Sequence, residues 1–200
     1  MTTTQTRRAG RRQALSLLGA GLALLSLAGI VSCGTSESGP AGAAQPASPA
    51  ATAQAPGAIE GVRLYDNLSS EHVTTPVTYS QSPAVGGDHS PRWTNCGIYT
   101  SPVEQTRAVH SMEHGAVWLT YQPSLPAAQI QQLTDLVGSR GFVVLSPHPD
   151  QASAVTATAW GVQLAVDTAS DPRLGEFLTT YIQGGQTPEP GAPCTGGVDG

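Results

Sequence analysis

Large apolar side chains are unevenly spread along this chain. An uncharged run rich in Leu, Ala and Gly covers residues 14–31, residues 34–57 carry no large aliphatic or aromatic side chain, and such side chains return at Ile59, Val62, Leu64 and Tyr65. From there to about residue 107 the chain is punctuated by Pro76, Pro83, Gly86, Gly87, Pro91, Gly97 and Pro102, which predicts a long ordered loop region. Residues 116–121 alternate, with Val117, Leu119 and Tyr121 on one side, as a strand does. Residues 126–137 open on Pro126 and place Ile130, Leu133, Leu136 and Val137 on one stripe, so they predict a helix closed by Gly138. Residues 142–146 predict a short buried strand, and residues 155–166 one or two strands broken near Gly161. Asp171 and Pro172 then form a helix start, followed by an apolar face of Leu174, Phe177, Leu178, Tyr181 and Ile182. This order predicts an α+β fold: a small, mainly antiparallel sheet with two helices packed on one face, preceded by the loop region.

The apolar run at the start reads as a targeting segment. Arg7, Arg8, Arg11 and Arg12 precede it, and it ends in Ile30-Val31-Ser32-Cys33, an aliphatic and small residues before a cysteine. That is the order of a secretory signal closed by a lipobox, with Cys33 as the lipid acceptor. An uncleaved N-terminal transmembrane anchor is the alternative, because the run is nearly long enough to span a bilayer. Either places the domain on the extracytoplasmic face of the cell membrane. Arg11-Arg12 also resembles a twin-arginine signal, so the general and twin-arginine export routes stay open. Residues 34–57, of Gly, Ala, Ser, Pro, Thr and Gln with the single charge Glu37, cannot bury enough apolar surface to offset ordering and predict a disordered tether. The expected organisation is a signal peptide over residues 1–33, the tether over 34–57, and one globular domain over 58–200.

Charge narrows the partners. All nine basic residues are arginine and four lie in the leader, which leaves five against fourteen carboxylates, a net of −9. A surface of that sign repels phosphate backbones and anionic head groups, so nucleic acid is excluded as a partner and membrane attachment falls to the Cys33 lipid. A protein partner in the cell envelope has no visible motif.

Chemistry concentrates in the histidines. Four of the five, His72, His89, His110 and His114, fall within or beside the turn-rich half. In His110-Ser111-Met112-Glu113-His114 the two imidazoles stand four apart, on one face of a helical turn. Such spacing suits a divalent metal, and neutral imidazoles beside a carboxylate favour zinc or copper(II). The other reading makes these histidines hydrogen-bonding groups that pin a buried turn. The five residues also match the H-x-x-E-H pattern of inverted zinc peptidases, with Glu113 as base, but Gly115 interrupts the continuous helix that pattern needs. His148, between Pro147 and Pro149, reads as a surface loop residue, and Trp93, Trp118 and Trp160 read as core. Cys96 and Cys194 are the cysteines left once Cys33 is lipidated, and an even pair outside the cytoplasm predicts a disulfide. The alternative makes Cys96 a metal ligand beside His89.

Several runs resemble a known family: Val77-Thr78-Tyr79 with Pro83, Gly86-Gly87-Asp88-His89, Trp93 to Tyr99, and above all Val109-His110-Ser111-Met112-Glu113-His114-Gly115-Ala116-Val117. They look like the bacterial domain of unknown function 3105, over about Ile59 to Cys194. The resemblance implies one compact domain and an exported or membrane-attached protein, and carries over no catalytic residue.

Three functions fit these features. The first is an extracytoplasmic lipoprotein of non-enzymatic character that binds a divalent metal through His72, His89, His110 and His114, with Glu113 as supporting group or base. The others are a metal-dependent hydrolase using Glu113 and a non-catalytic interaction module of the cell envelope. The leader generates a direct test: Cys33→Ala is expected to release the protein into the medium or to leave an uncleaved precursor, as read by fractionation and mass. Firm attachment with unchanged mass would refute Cys33 as the acceptor.

Overall fold

The computed structural model describes residues 58–200, so the leader, Cys33 and the tether lie outside the described residues. The elements run β1 (Arg63–Leu64), β2 (Gly97–Ile98), α1 (Gln105–Glu113), β3 (Val117–Tyr121), α2 (Ala127–Val137), β4 (Val143–Pro147), β5 (Val155–Ala159), β6 (Val162–Val166) and α3 (Pro172–Tyr181). The six strands form one sheet in the order β1-β6-β5-β3-β4-β2. The fold is α+β, as expected, but the sheet is mixed and not mainly antiparallel. β5 pairs antiparallel with β6 and β3, and β1 with β6, whereas β3 and β2 both run parallel to β4, with Val117 opposite Val143. The reason is α2. A strand followed by a helix returns to the sheet through a crossover and lies parallel to its predecessor, while a tight hairpin such as that at Trp160 and Gly161 yields an antiparallel pair.

Every residue of β3, β4 and β5 is buried, because both faces of the sheet are covered. On one face Val117, Leu119, Leu145, Ala157 and Leu164 pack with Leu133 of α2 and with Leu174, Phe177 and Leu178 of α3. Asp171 caps α3 by accepting from the Arg173 N–H at 2.9 Å. On the other face Trp118 and Val144 meet Ala108, Val109 and Met112 of α1 and Trp160 from the β5–β6 turn. The strand alternation thus divides two cores, as side chains pointing to opposite sides must.

The helix α1 corrects the expectation of two helices. Glu104 caps it, its side chain accepting from the Thr106 and Arg107 N–H groups at 2.9 and 3.1 Å. Residues Ala108 to Glu113 are all buried, polar ones included. An apolar stripe of Ala108, Val109 and Met112 is broken up in sequence by His110, Ser111 and Glu113, so the helical period was concealed by the residues it serves to bury. His148 is also corrected. It is 8% exposed, sits edge-on to Trp118, and lies with Nε2 2.9 Å from Ser82 Oγ. That burial holds its pKa below the ordinary value, against the opposing pull of Asp150. Trp118 and Trp160 are core, while Trp93 is half-buried.

The loop region before α1 is pinned by long-range backbone bonds. Val73 N–H donates to His89 O at 2.7 Å, His89 N–H to Glu71 O at 3.0 Å, and Tyr65 N–H to Gly161 O at 2.8 Å. The C-terminal tail is fixed by the Cys96–Cys194 disulfide, with Cα atoms 5.4 Å apart, and by the Cys96 N–H, which donates to Cys194 O. Among the described residues no helix is long and apolar enough to cross a membrane.

The disulfide spans a sequence separation of 98, so the loop-closure model sets its contribution at up to about 4.7 kcal/mol. Replacing both cysteines by alanine is expected to lower the melting temperature by roughly 5–15 °C, as read by thermal denaturation. Melting within a degree or two of the parent would show that the tail is held by its other contacts.

Candidate functional site

The last turn of α1 carries His110, Glu113 and His114 into the space between the helix end, the loop region and the tail. Gly115 follows at φ +96°, which turns the chain away to begin β3. A Cβ there would collide with the Gln183 side chain, whose Nε2 donates to His114 O. Opposite the helix the loop contributes His72 and His89, set side by side by a short parallel bridge.

Three distances define the inner group. Glu113 Oε2 lies 2.9 Å from His89 Nε2 and 3.2 Å from His72 Nε2. His110 completes it: the ligand-type atoms of His72, His89, His110 and Glu113 all lie within 4.8 Å of one another. The rings pack tightly, with His72 stacked on His110 at 4.6 Å and His89 edge-on to both at 4.8 and 5.0 Å. Trp160 stands 5.7 Å from His89, and Trp93 5.5 Å from His110. Side-chain exposure is 0% for His89, 3% for Glu113 and 41% for His72, so the group opens to solvent on the His72 side.

The hydrogen bonds behind these rings determine what the site can do. His89 Nδ1 donates to Gly87 O at 2.8 Å, His110 Nδ1 to Ser90 O at 2.7 Å, and His114 Nδ1 to Pro193 O at 2.7 Å. A carbonyl oxygen only accepts, so each Nδ1 carries the proton and each neutral ring presents a bare Nε2. His89 Nε2 faces a carboxylate oxygen, and His110 Nε2 and His114 Nε2 face each other at 3.0 Å. Between neutral rings acceptor would oppose acceptor, which only a positive charge among them, a proton or a metal ion, resolves. Second-sphere carbonyls that fix the ligating nitrogen are the usual surroundings of metal-bound histidine. Burial lowers the His110 pKa to about 4, with the neighbouring imidazoles adding to the fall and the Ser90 carbonyl opposing it. At neutral pH this ring is therefore an uncharged donor of electrons.

The predicted residues divide as follows. His72, His89 and His110 come together, and Glu113 stands among them as a fourth potential ligand instead of behind them. His114 falls outside that group. It touches His110, and its Nε2 lies 3.6 Å from Glu189 Oε2 on the tail. Cys96 is bonded to Cys194, so the alternative of a Cys96 ligand is withdrawn. Glu189 escaped sequence reading because it sits in a Pro- and Gly-rich tail more than seventy positions beyond the histidines. The Gly87, Ser90 and Pro193 carbonyls escaped because backbone acceptors leave no mark in sequence.

Opposed acceptors give an unusual expectation. Glu113→Gln places an amide N–H donor against the bare Nε2 of His89, so in the presence of a chelator the variant is expected to be more stable by roughly 0.5–1.5 kcal/mol. Chemical denaturation reads this out. A destabilised variant would instead show that the carboxylate serves as the structural partner of a protonated imidazole.

No curated protein and no solved structure matches the chain. A family model described as "Protein of unknown function (DUF3105)" matches residues 72–196, from the first of the clustered histidines to just past Cys194. That span contains the whole inner group, His114, the three carbonyls behind the rings and the disulfide, and it covers more than half of the chain. The chain belongs to the DUF3105 family.

Proposed function

We propose that this protein is an extracytoplasmic, lipid-anchored metal-binding protein whose domain holds a divalent transition ion on His72, His89, His110 and Glu113. The observation that carries this reading is the set of fixed tautomers: buried lone pairs aimed at a carboxylate are costly in a protein unless a cation joins them. Three imidazoles and one carboxylate make a nitrogen-rich set that suits zinc or copper(II). In this reading Glu113 is a ligand, which leaves it unavailable as the base of a hydrolase, and the domain binds without turning over a substrate. Bound there, the ion would supply Lewis acidity at the solvent-facing edge. His72 is exposed on that edge, while His89, His110 and Glu113 are buried. The disulfide fits an oxidising compartment, as does the leader.

Calorimetry of the chelator-treated protein with zinc and with copper(II) tests the site. Binding tighter than about 100 µM, or roughly −5.5 kcal/mol, is expected for at least one of them. Copper(II) should also quench the fluorescence of Trp93 and Trp160, whose rings stand 5.5 and 5.7 Å from His110 and His89. Combining His89→Ala with Glu113→Gln should abolish both signals. Weaker binding by the parent, or undiminished binding by the double variant, would overturn the proposal.

A further inference from the structure

Beside the inner group lies a second contact between potential ligands, which shares only His110 with the four-residue set. His114 Nε2 is 3.0 Å from His110 Nε2 and 3.6 Å from Glu189 Oε2. Two ligands bound to one ion at about 2.05 Å, at a tetrahedral angle, lie roughly 3.3 Å apart, so both spacings are those of ligands sharing an ion. His114 is held for that use. Its Nδ1 is committed to Pro193 O, its side chain is 5% exposed, and its Nε2 points only at another bare nitrogen and a carboxylate. Glu189 is not a loose surface residue, although its side chain is 52% exposed. Its N–H donates to Glu113 O at 3.1 Å, its carbonyl accepts from Ala192 at 3.2 Å, and the disulfide anchors the tail five residues on.

We infer that His110, His114 and Glu189 form a second divalent-metal site at the solvent rim, so that the centre takes two ions. The inference rests on the proposed function of the inner group. The ligands then divide into two sets of the same make-up: His72, His89 and Glu113 inside, and His110, His114 and Glu189 outside. His110 stands between them. Its single Nε2 completes the inner set when one ion is bound and passes to the outer set when a second arrives. Each set offers two imidazoles and a carboxylate, leaving coordination positions for water or an incoming ligand, and each opens to solvent through one exposed member, His72 in one and Glu189 in the other.

The test is stoichiometry, measured on the full chain purified in detergent and dialysed against zinc, with metal analysis of the protein fraction. The parent is expected to hold about two zinc ions. Glu189→Gln, a change at a solvent-exposed side chain that leaves the core untouched, should hold about one at the same free zinc, its second affinity falling roughly tenfold or more. His114→Ala should do the same. With copper(II), the second equivalent should broaden the electron paramagnetic resonance signal of the first in the parent and not in Glu189→Gln. A parent that saturates at one ion refutes the outer site and leaves the inner one standing. A parent that holds none refutes both, and two ions retained in both variants refutes the ligand assignment.

Discussion

The rest of this molecule is arranged around the buried polar end of one short helix. The end of α1 brings two imidazoles and a carboxylate into a space from which water is largely excluded, and each group must be satisfied there or destabilise the fold. The helix cannot do this alone, since its last carbonyls already accept from the backbone N–H groups of His114, Gly115, Ala116 and Glu189. The Nδ1 protons are therefore met by carbonyls from elsewhere: Ser90 in the loop for His110 and Pro193 in the tail for His114. That requirement explains why a loop of some forty residues and a Pro- and Gly-rich tail, neither rich in regular structure, are pinned so firmly.

The two faces of the sheet divide the work. Against α2 and α3 the contacts are aliphatic and aromatic, and the packing of Phe177 with Leu133, Leu174 and Leu178 serves stability alone. Against α1 the core is smaller, and it meets the histidines through Trp160. A substitution on the first face is read as lost stability. One on the second is read in the chemistry of the rings above it.

What could be read from the sequence follows from which interactions have a period. The strands 117–121, 143–147, 155–159 and 162–166 and the helices α2 and α3 show themselves through alternation or an apolar stripe, and the helix starts at Pro126 and Asp171 are local signals. Strand direction is not local, since it depends on how α2 carries the chain between β3 and β4, and a list of elements leaves it open. The helix α1 was hidden because its buried face is half polar. The histidines were visible as a cluster, and the disulfide as an even pair of cysteines. Which imidazoles come together was not visible, because it is settled by the bridge between His72 and His89 and by carbonyls 20 and 79 positions away. His148 was misjudged for the same reason: two flanking prolines suggest a loop, and nothing nearby reveals that Trp118 will cover it.

The tail contributes in a way that bears on synthesis. Every histidine of the centre is already in place by residue 114, whereas the carbonyl that orients His114 and the cysteine that closes the ring arrive some eighty residues later. A polypeptide cut short before Glu189 has all five ring and carboxylate groups of α1 and the loop, yet lacks the piece that sets the last imidazole and holds the wall shut. The arrangement is thereby finished only on a chain that has been made and cross-linked as far as Cys194.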